Sequence, residues 1–203
     1  MRVAIDLNDV IRAYSKTFAK YYKKEFDNNL DLDNIELKSN ILSEVFEFNS
    51  KEDYQKFLYE DYPYEIFGSC PCVEKDLPSK LNNWLINVTE NYESDENVEF
   101  IIVSTMEYSL TIQSTYFFLS KIGCRIREVF LPKDSSEIWN KCDLLITANP
   151  KLLDSKPLDK KTIKIEMQYN SNCESNYSYP SFEDFISNEN NFINILKENA
   201  NNI

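Results

Sequence analysis

Histidine is absent from all 203 residues. Its absence excludes Ser-His-Asp and Cys-His catalysis outright. Acid/base or nucleophilic work must come from carboxylates, Lys, Tyr, Cys or a metal. Long apolar runs are missing too. None approaches the roughly 18 residues of a membrane-spanning helix. The first apolar run is too short for a signal peptide and is interrupted by Asp6. A cytoplasmic location is expected, with no membrane partner. The five cysteines (Cys70, Cys72, Cys124, Cys142 and Cys173) are odd in number, which suggests reduced thiols. Cys70-Pro71-Cys72 is the one close pair, and without a second pair or a histidine a zinc site is poorly supported. Positive charge is scarce: 22 Lys and Arg face 34 Asp and Glu, for a net charge of −12. That argues against a nucleic-acid polymer as partner, because such binding is driven by phosphate neutralisation. A small phosphate ester in a local pocket stays open.

What is present is ordinary for a globular chain, with 42% hydrophobic and 28% charged residues. The length allows one sizeable core, or a core with a small insert. The rest of the chain is organised around the first ten residues. Val3-Ala4-Ile5 is a short apolar run suited to a buried strand, and Asp6, Asn8 and Asp9 follow at once. A buried strand ending in carboxylates puts charge at the carboxyl edge of a sheet, where open α/β sheets bind ligands. Such carboxylates tend to be exposed, paired or bound to a cation. The same letters also fit a plain strand, an Asp/Asn turn and a helix capped by Asn8 or Asp9.

Further along, the spacing of Tyr14, Phe18, Tyr21 and Tyr22 predicts a helix over 11–26. A short helix is expected around 41–48. Ser50-Lys51-Glu52-Asp53 reads as an N-cap opening another helix through Tyr59. A longer helix is expected over 73–92, with Pro78 near its true start. An acidic turn follows at 93–97. Strands are expected at 98–103, 125–131, 143–147 and 162–167, and Gly123 should cap a helix over 108–122. Helices are expected from Ser181 onward. Strands alternating with helices imply a mainly parallel sheet covered on both faces. The gap between the first two strands is too long for a simple crossover, so it must hold an inserted helical subdomain. The expected division is a core of 1–11 and 96–203, with a helical cap over 12–95.

Val3-Ala4-Ile5-Asp6-Leu7-Asn8-Asp9-Val10 resembles motif I of the haloacid dehalogenase (HAD) superfamily: a buried strand, a nucleophilic Asp, one residue, then usually a second Asp. Asp6 matches the nucleophile, and Asn8 stands where phosphatases of the family place an acid/base Asp. Phe100-Ile101-Ile102-Val103-Ser104 is similar to motif II, in which a hydroxyl holds a phosphoryl oxygen. Lys133, or else Lys141, corresponds to the charge-balancing Lys of motif III. Asp143 to Pro150 resembles the motif IV strand of 5′-nucleotidase and deoxyribonucleotidase relatives. Here Thr147 and Ala148 occupy the acidic positions, and Asn149 offers a neutral oxygen.

The resemblance implies an α/β fold: a three-layer, Rossmann-like HAD core with a cap. It implies Asp6 and Lys133 as catalytic residues. Phosphate would be held by the Leu7 and Asn8 backbone, Ser104 and Thr105, and Mg²⁺ by Asp6, Asn8 and Asn149. Asp9 or Asp154 would stand in for missing acids. Asn at position 8 can neither donate a proton to a leaving oxygen nor activate water. The expected protein is therefore nucleotidase-like, acting on small phosphate monoesters or descended from enzymes that do, with weakened or lost catalysis. The alternative is a non-catalytic binding or assembly module with a protein partner or bound ligand. Cap aromatics such as Tyr62 and Tyr64 would either stack a base or pack the cap's own core.

Overall fold

The computed structural model describes residues 1–91, 98–106 and 109–200. Six strands form one all-parallel sheet: β1 (Arg2–Asp6), β2 (Glu99–Val103), β3 (Glu128–Phe130), β4 (Leu144–Thr147), β5 (Lys161–Ile165) and β6 (Tyr177–Tyr179). Their order is β3-β2-β1-β4-β5-β6. This is the α/β, Rossmann-like arrangement that the alternation of elements predicts. β1 sits in the middle, with Ile5 level with Ile102 on one side and Ile146 on the other. The strand order reverses at β1, so the crevice at its carboxyl end is the expected ligand site of such a sheet. Asp6 ends β1 at that crevice.

The strands read as apolar runs because both faces are covered. Val3, Ile5, Ile102, Leu144, Ile146, Ile163 and Ile165 point into one core cluster. Ala4, Ile101, Val103 and Leu145 point into another, closed by Ile138, Trp139 and Leu152. The first face is covered by α3 (Leu77–Asn91), α6 (Phe182–Ser187), α7 (Glu189–Ala200) and, through Phe118 and Leu119, α4 (Ser109–Lys121). α3 buries Leu77, Leu81, Trp84, Leu85 and Val88, the spacing of one helical face. The Trp84 ring lies 5.1 Å from Phe100, 5.8 Å from Phe185 and 5.3 Å from Phe192. Gly123 ends α4 (Ser109–Lys121) with φ +62°, the left-handed geometry a helix C-terminus favours.

A second region builds its own cluster. It comprises α1 (Tyr14–Glu25), a 3-10 turn at Leu42–Glu44, α2 (Lys51–Lys56) and π-helical turns at Phe57–Asp61 and Glu65–Ser69. Phe18 is ringed by Phe46, Phe48, Tyr54 and Phe57 at centroid distances of 5.2 to 6.2 Å. Ser50 caps α2, accepting from the Asp53 N–H at 3.0 Å. Tyr62 packs on Tyr21 and Phe57, both at 5.0 Å, and donates to Glu25. Tyr64 lies half-exposed against Phe117. Tyr62 thus packs within this cluster, while Tyr64 meets α4 through Phe117. The span 12–95 thus divides: residues 14–67 supply this cluster, while α3 packs on the sheet. The chain leaves the sheet region at Ala13, whose N–H donates to Pro71 O, and Val73 N–H returns the bond to Ile11 O.

Three expectations need correction. The helix expected from residue 11 starts at Tyr14, because Ile11 and Arg12 belong to a turn closed on the Leu7 carbonyl. The helix expected over 41–48 is a single 3-10 turn. β6 is a strand the sequence does not announce: three residues at the sheet edge, without an apolar run. The acidic turn at 93–97, Tyr92 and Tyr108 lie outside the described residues. Among those described, no helix is long and apolar enough to cross a membrane.

Trp84 fills the junction of α3, β2 and the C-terminal helices. Trp84→Ala is expected to destabilise the fold by about 3–5 kcal/mol, read as a lowered midpoint in urea unfolding.

Candidate functional site

After β1 the chain turns tightly. The Leu7 carbonyl accepts from the N–H groups of Ile11 at 3.0 Å and Arg12 at 2.9 Å, and Asp9 N–H donates to Arg12 O at 2.8 Å. The turn requires φ +58° at Asp9, a conformation Asp tolerates better than most residues. Leu7 N–H donates to Val103 O at 3.0 Å and so extends the sheet. The Leu7 donor expected to hold a phosphoryl oxygen is therefore already spent. No acceptor among the described residues takes the Asn8 N–H.

Asp6 and Asp9 are both buried. Burial raises Asp6 to about 7, against the hydrogen bond from Thr147 and the attraction of Arg12. Thr147 Oγ1 donates to Asp6 Oδ2 at 2.7 Å. Burial also raises Asp9, opposed chiefly by Ser15 and then by Tyr169 and Arg12. Asp9 accepts from Ser15 N–H at 2.9 Å, from Ser15 Oγ, and from the Tyr169 hydroxyl at 3.0 Å. Asp9 is thus a fastener between the turn, α1 and the segment after β5.

Arg12 has no exposed surface. Its Nε and Nη2 both donate to Asn8 Oδ1, at 3.0 and 2.6 Å. Its Nη1 donates to Phe67 O at 3.0 Å and to Thr115 Oγ1 at 2.8 Å. The guanidinium also faces the Phe67 ring at 5.0 Å and the Phe118 ring at 5.8 Å. The Phe67 carbonyl is available because it lies in the last turn of π-helical Glu65–Ser69, where carbonyls lack intrahelical donors; Lys121 likewise serves Gly68 O and Cys70 O. Sequence reasoning missed Arg12. The available signal was a basic residue four positions after Asn8, at the end of an apolar run.

The other expected residues divide. Asp6, Asn8, Thr105 and Asn149 line one small chamber with Asp9, Tyr14, Asn40, Met106 and Tyr169. Its volume is about 20 Å³, room for roughly one water. Ser104 stands beside it, fully buried, with no hydrogen bond to its hydroxyl. Lys133 is exposed on the loop after β3; the cation acting on Asp6 is Arg12. Lys141 is exposed and lies over the Phe130 ring at 5.5 Å. Asp154 is exposed at the end of α5 (Pro150–Asp154). Asn149 caps α5, accepting from Lys151 N–H at 3.0 Å and from Asn40 Nδ2 at 3.2 Å.

Mg²⁺ favours carboxylate and water oxygens in octahedral array. Here, among the described residues, the Asp9, Asn8 and Asn149 side-chain oxygens are engaged, which leaves Asp6 and the Asn8 main-chain carbonyl. Among the described residues no group of three or more Asp, Glu or Cys converges on a point. The side chains of the described residues do not fit a divalent metal.

By sequence, no protein family and no curated protein matches the chain. By structure, eleven solved chains match. One is assigned as a haloacid dehalogenase-like hydrolase, from Burkholderia xenovorans LB400. It aligns at 8% identity with a TM-score of 0.52, covering 92% of this chain and 94% of that one. The chain has the haloacid dehalogenase fold. At that identity the likeness speaks for the fold alone. Within that fold Asp6 ends the central strand of the sheet.

The Asp6 shift carries a pH dependence. The unfolded chain releases the Asp6 proton near pH 4, and the native state releases it near 7. Between those values the native state binds more protons, so stability falls as pH rises, by up to about 4 kcal/mol above pH 7. Asp6→Asn keeps an acceptor for Thr147 and removes this penalty. It is expected to raise Tm clearly at pH 8 and hardly at pH 4; an equal gain at both would place the penalty elsewhere.

Proposed function

We propose that this chain is a HAD-fold protein descended from enzymes acting on small phosphate monoesters, of nucleotidase-like type, and that it now serves as a non-catalytic binding module. The observation that carries this reading is the Asn8–Arg12 pair. Asn8 stands where motif I of phosphatases places the acid that protonates the leaving group and then activates water. Its amide has no titrating proton, and its oxygen is held by two guanidinium N–H groups. Position 8 therefore supplies neither half of an aspartyl-phosphate cycle with its acid or base.

The surroundings support the same reading. The neighbouring carboxylate, Asp9, is tied to Ser15 and Tyr169. The chamber holds too little space for a phosphate ester, and Asn40 closes over it onto Asn149. Space for a ligand lies next door. A cavity of about 700 Å³ opens between α1, the loop at 32–37 and the segments at 65–71 and 166–168. Its walls mix Tyr21, Leu37 and Met167 with Lys16, Lys20 and Glu166. That is the size and mixed character of a small-molecule site. A nucleotide, another small phosphate ester or a protein segment suits the binding role.

The test is phosphate release from nucleoside monophosphates and an aryl phosphate, with and without Mg²⁺, beside an Asp6→Asn control. Release no faster than the control is expected for every ester. Mg²⁺-dependent turnover that vanishes in the control would sink the proposal and support a phosphoric monoester hydrolase working through Asp6.

A further inference from the structure

Two hydrophobic clusters meet at the large cavity without closing it. Ile35 and Leu37 on one wall pack on the cap cluster, and Met167 on the other packs on the cluster of the sheet. All three stay half-buried, and Leu32 at the rim is 41% exposed. A hydrogen bond from Leu37 N–H to Gln168 Oε1, at 2.7 Å, fastens the two walls. Apolar surface facing about 700 Å³ of open space is a standing cost that an apolar occupant removes.

The charges around the cavity are arranged unevenly. Lys16 and Lys20 lie one turn apart on the same face of α1, so their ammonium groups bear on one part of the wall. Both are exposed, and among the described residues neither makes an ion pair. The carboxylates come singly from three separate segments, as Asp33, Glu65 and Glu166. Glu166 is occupied at the edge of the sheet, where it accepts from the Ser178 hydroxyl at 2.7 Å. Hydroxyls on the α1 wall are spent as well: Ser15 on Asp9, and Thr17 Oγ1 on Ala13 O at 2.6 Å. Among the described residues no arginine lines the cavity, so the paired donors that suit a phosphate group are missing. What remains suits one negative charge of modest hydrogen-bonding demand.

We propose that this cavity binds an amphipathic carboxylic acid, an apolar chain or ring carrying a single carboxylate. The carboxylate sits between Lys16 and Lys20. The apolar body lies against Ile35, Leu37 and Met167 and joins the two clusters. The proposal rests on the reading of the chain as a binding module, and it ranks an apolar acid above the phosphate esters for this cavity.

Calorimetric titration of the whole chain with decanoate, below its micelle concentration, tests it beside decylamine and adenosine monophosphate. Saturable binding of decanoate is expected, with decylamine and adenosine monophosphate roughly tenfold weaker or more. The double variant Lys16→Gln with Lys20→Gln is expected to weaken decanoate by about tenfold, the effect of losing two exposed ion pairs. Its Tm should match that of the wild type, because neither lysine makes an ion pair in the free protein. No saturable decanoate binding would overturn the proposal. So would decylamine or adenosine monophosphate binding as tightly as decanoate, or a folded double variant that binds decanoate as the wild type does. Should the double variant not fold, decanoate against decylamine decides, because that comparison reads the sign of the charge in the cavity on the wild-type chain. Asp6-dependent phosphate release would sink the functional reading above and leave these binding results standing. Absence of decanoate binding would sink this proposal and leave the loss of turnover standing.

Discussion

Among the described residues, hydrogen bonds run from the Arg12 guanidinium to three parts of the molecule. They reach the turn after β1 through Asn8, the cap through the Phe67 carbonyl, and α4 through Thr115. A buried guanidinium is stable only where such partners are in place, since leaving any of its donors unmatched costs on the order of 1–3 kcal/mol. Two of these partners are products of unusual backbone. The Phe67 carbonyl is offered by a π-helical turn, and Asn8 sits in a turn that needs left-handed geometry at the next residue. The strained turn, the wide helical turn and the buried cation are thus mutually dependent. Gly68 belongs to the same arrangement: a Cβ there would meet the Ser114 carbonyl at 3.2 Å, so the π-turn approaches α4 as closely as a glycine allows.

The sheet was readable because its strands are buried on both faces. Val3-Ala4-Ile5, Ile101-Ile102-Val103 and Leu144-Leu145-Ile146 are apolar without interruption, and turn chemistry bounds each of them. Asp6 was readable for the same reason, as the first carboxylate after such a run. Gly123 and Ser50 announced a helix end and a helix start through backbone preferences that act locally. β6 was not readable: its three residues owe their extended form to pairing with β5 at an edge, and nothing in Tyr177-Ser178-Tyr179 demands it locally. Arg12 was harder still. Its partners Phe67 and Thr115 lie 55 and 103 positions away, and a basic residue beside an apolar run reads as solvent-facing until the fold surrounds it. Asp9 was weighed as a cap or as a substitute metal ligand. Its bond to Tyr169, 160 positions distant, could not be seen from its neighbours.

The chemistry of the chamber follows from an exchange of acceptors for donors. Thr147 and Asn8 do more than lack a carboxylate. Thr147 brings a hydroxyl to Asp6, and Asn8 brings an oxygen to Arg12. A further carboxylate beside Asp6, in so confined a space, would deepen the repulsion that Asp9 already adds. The neutral side chains add no such repulsion, and burial alone accounts for most of the rise at Asp6.

The junction at Ala13–Pro71 and Ile11–Val73 brings the two ends of a long insertion within hydrogen-bonding distance. An insertion whose ends already meet adds little closure entropy to the domain that hosts it, so its length and content are free to drift. In this chain that freedom is curtailed at one point. Arg12 takes a carbonyl from Phe67, near the far end of the insertion, into the floor of the sheet's crevice. The inserted segment is therefore a fitted part rather than an interchangeable module: any sequence that replaced it would have to present a backbone oxygen at the same place.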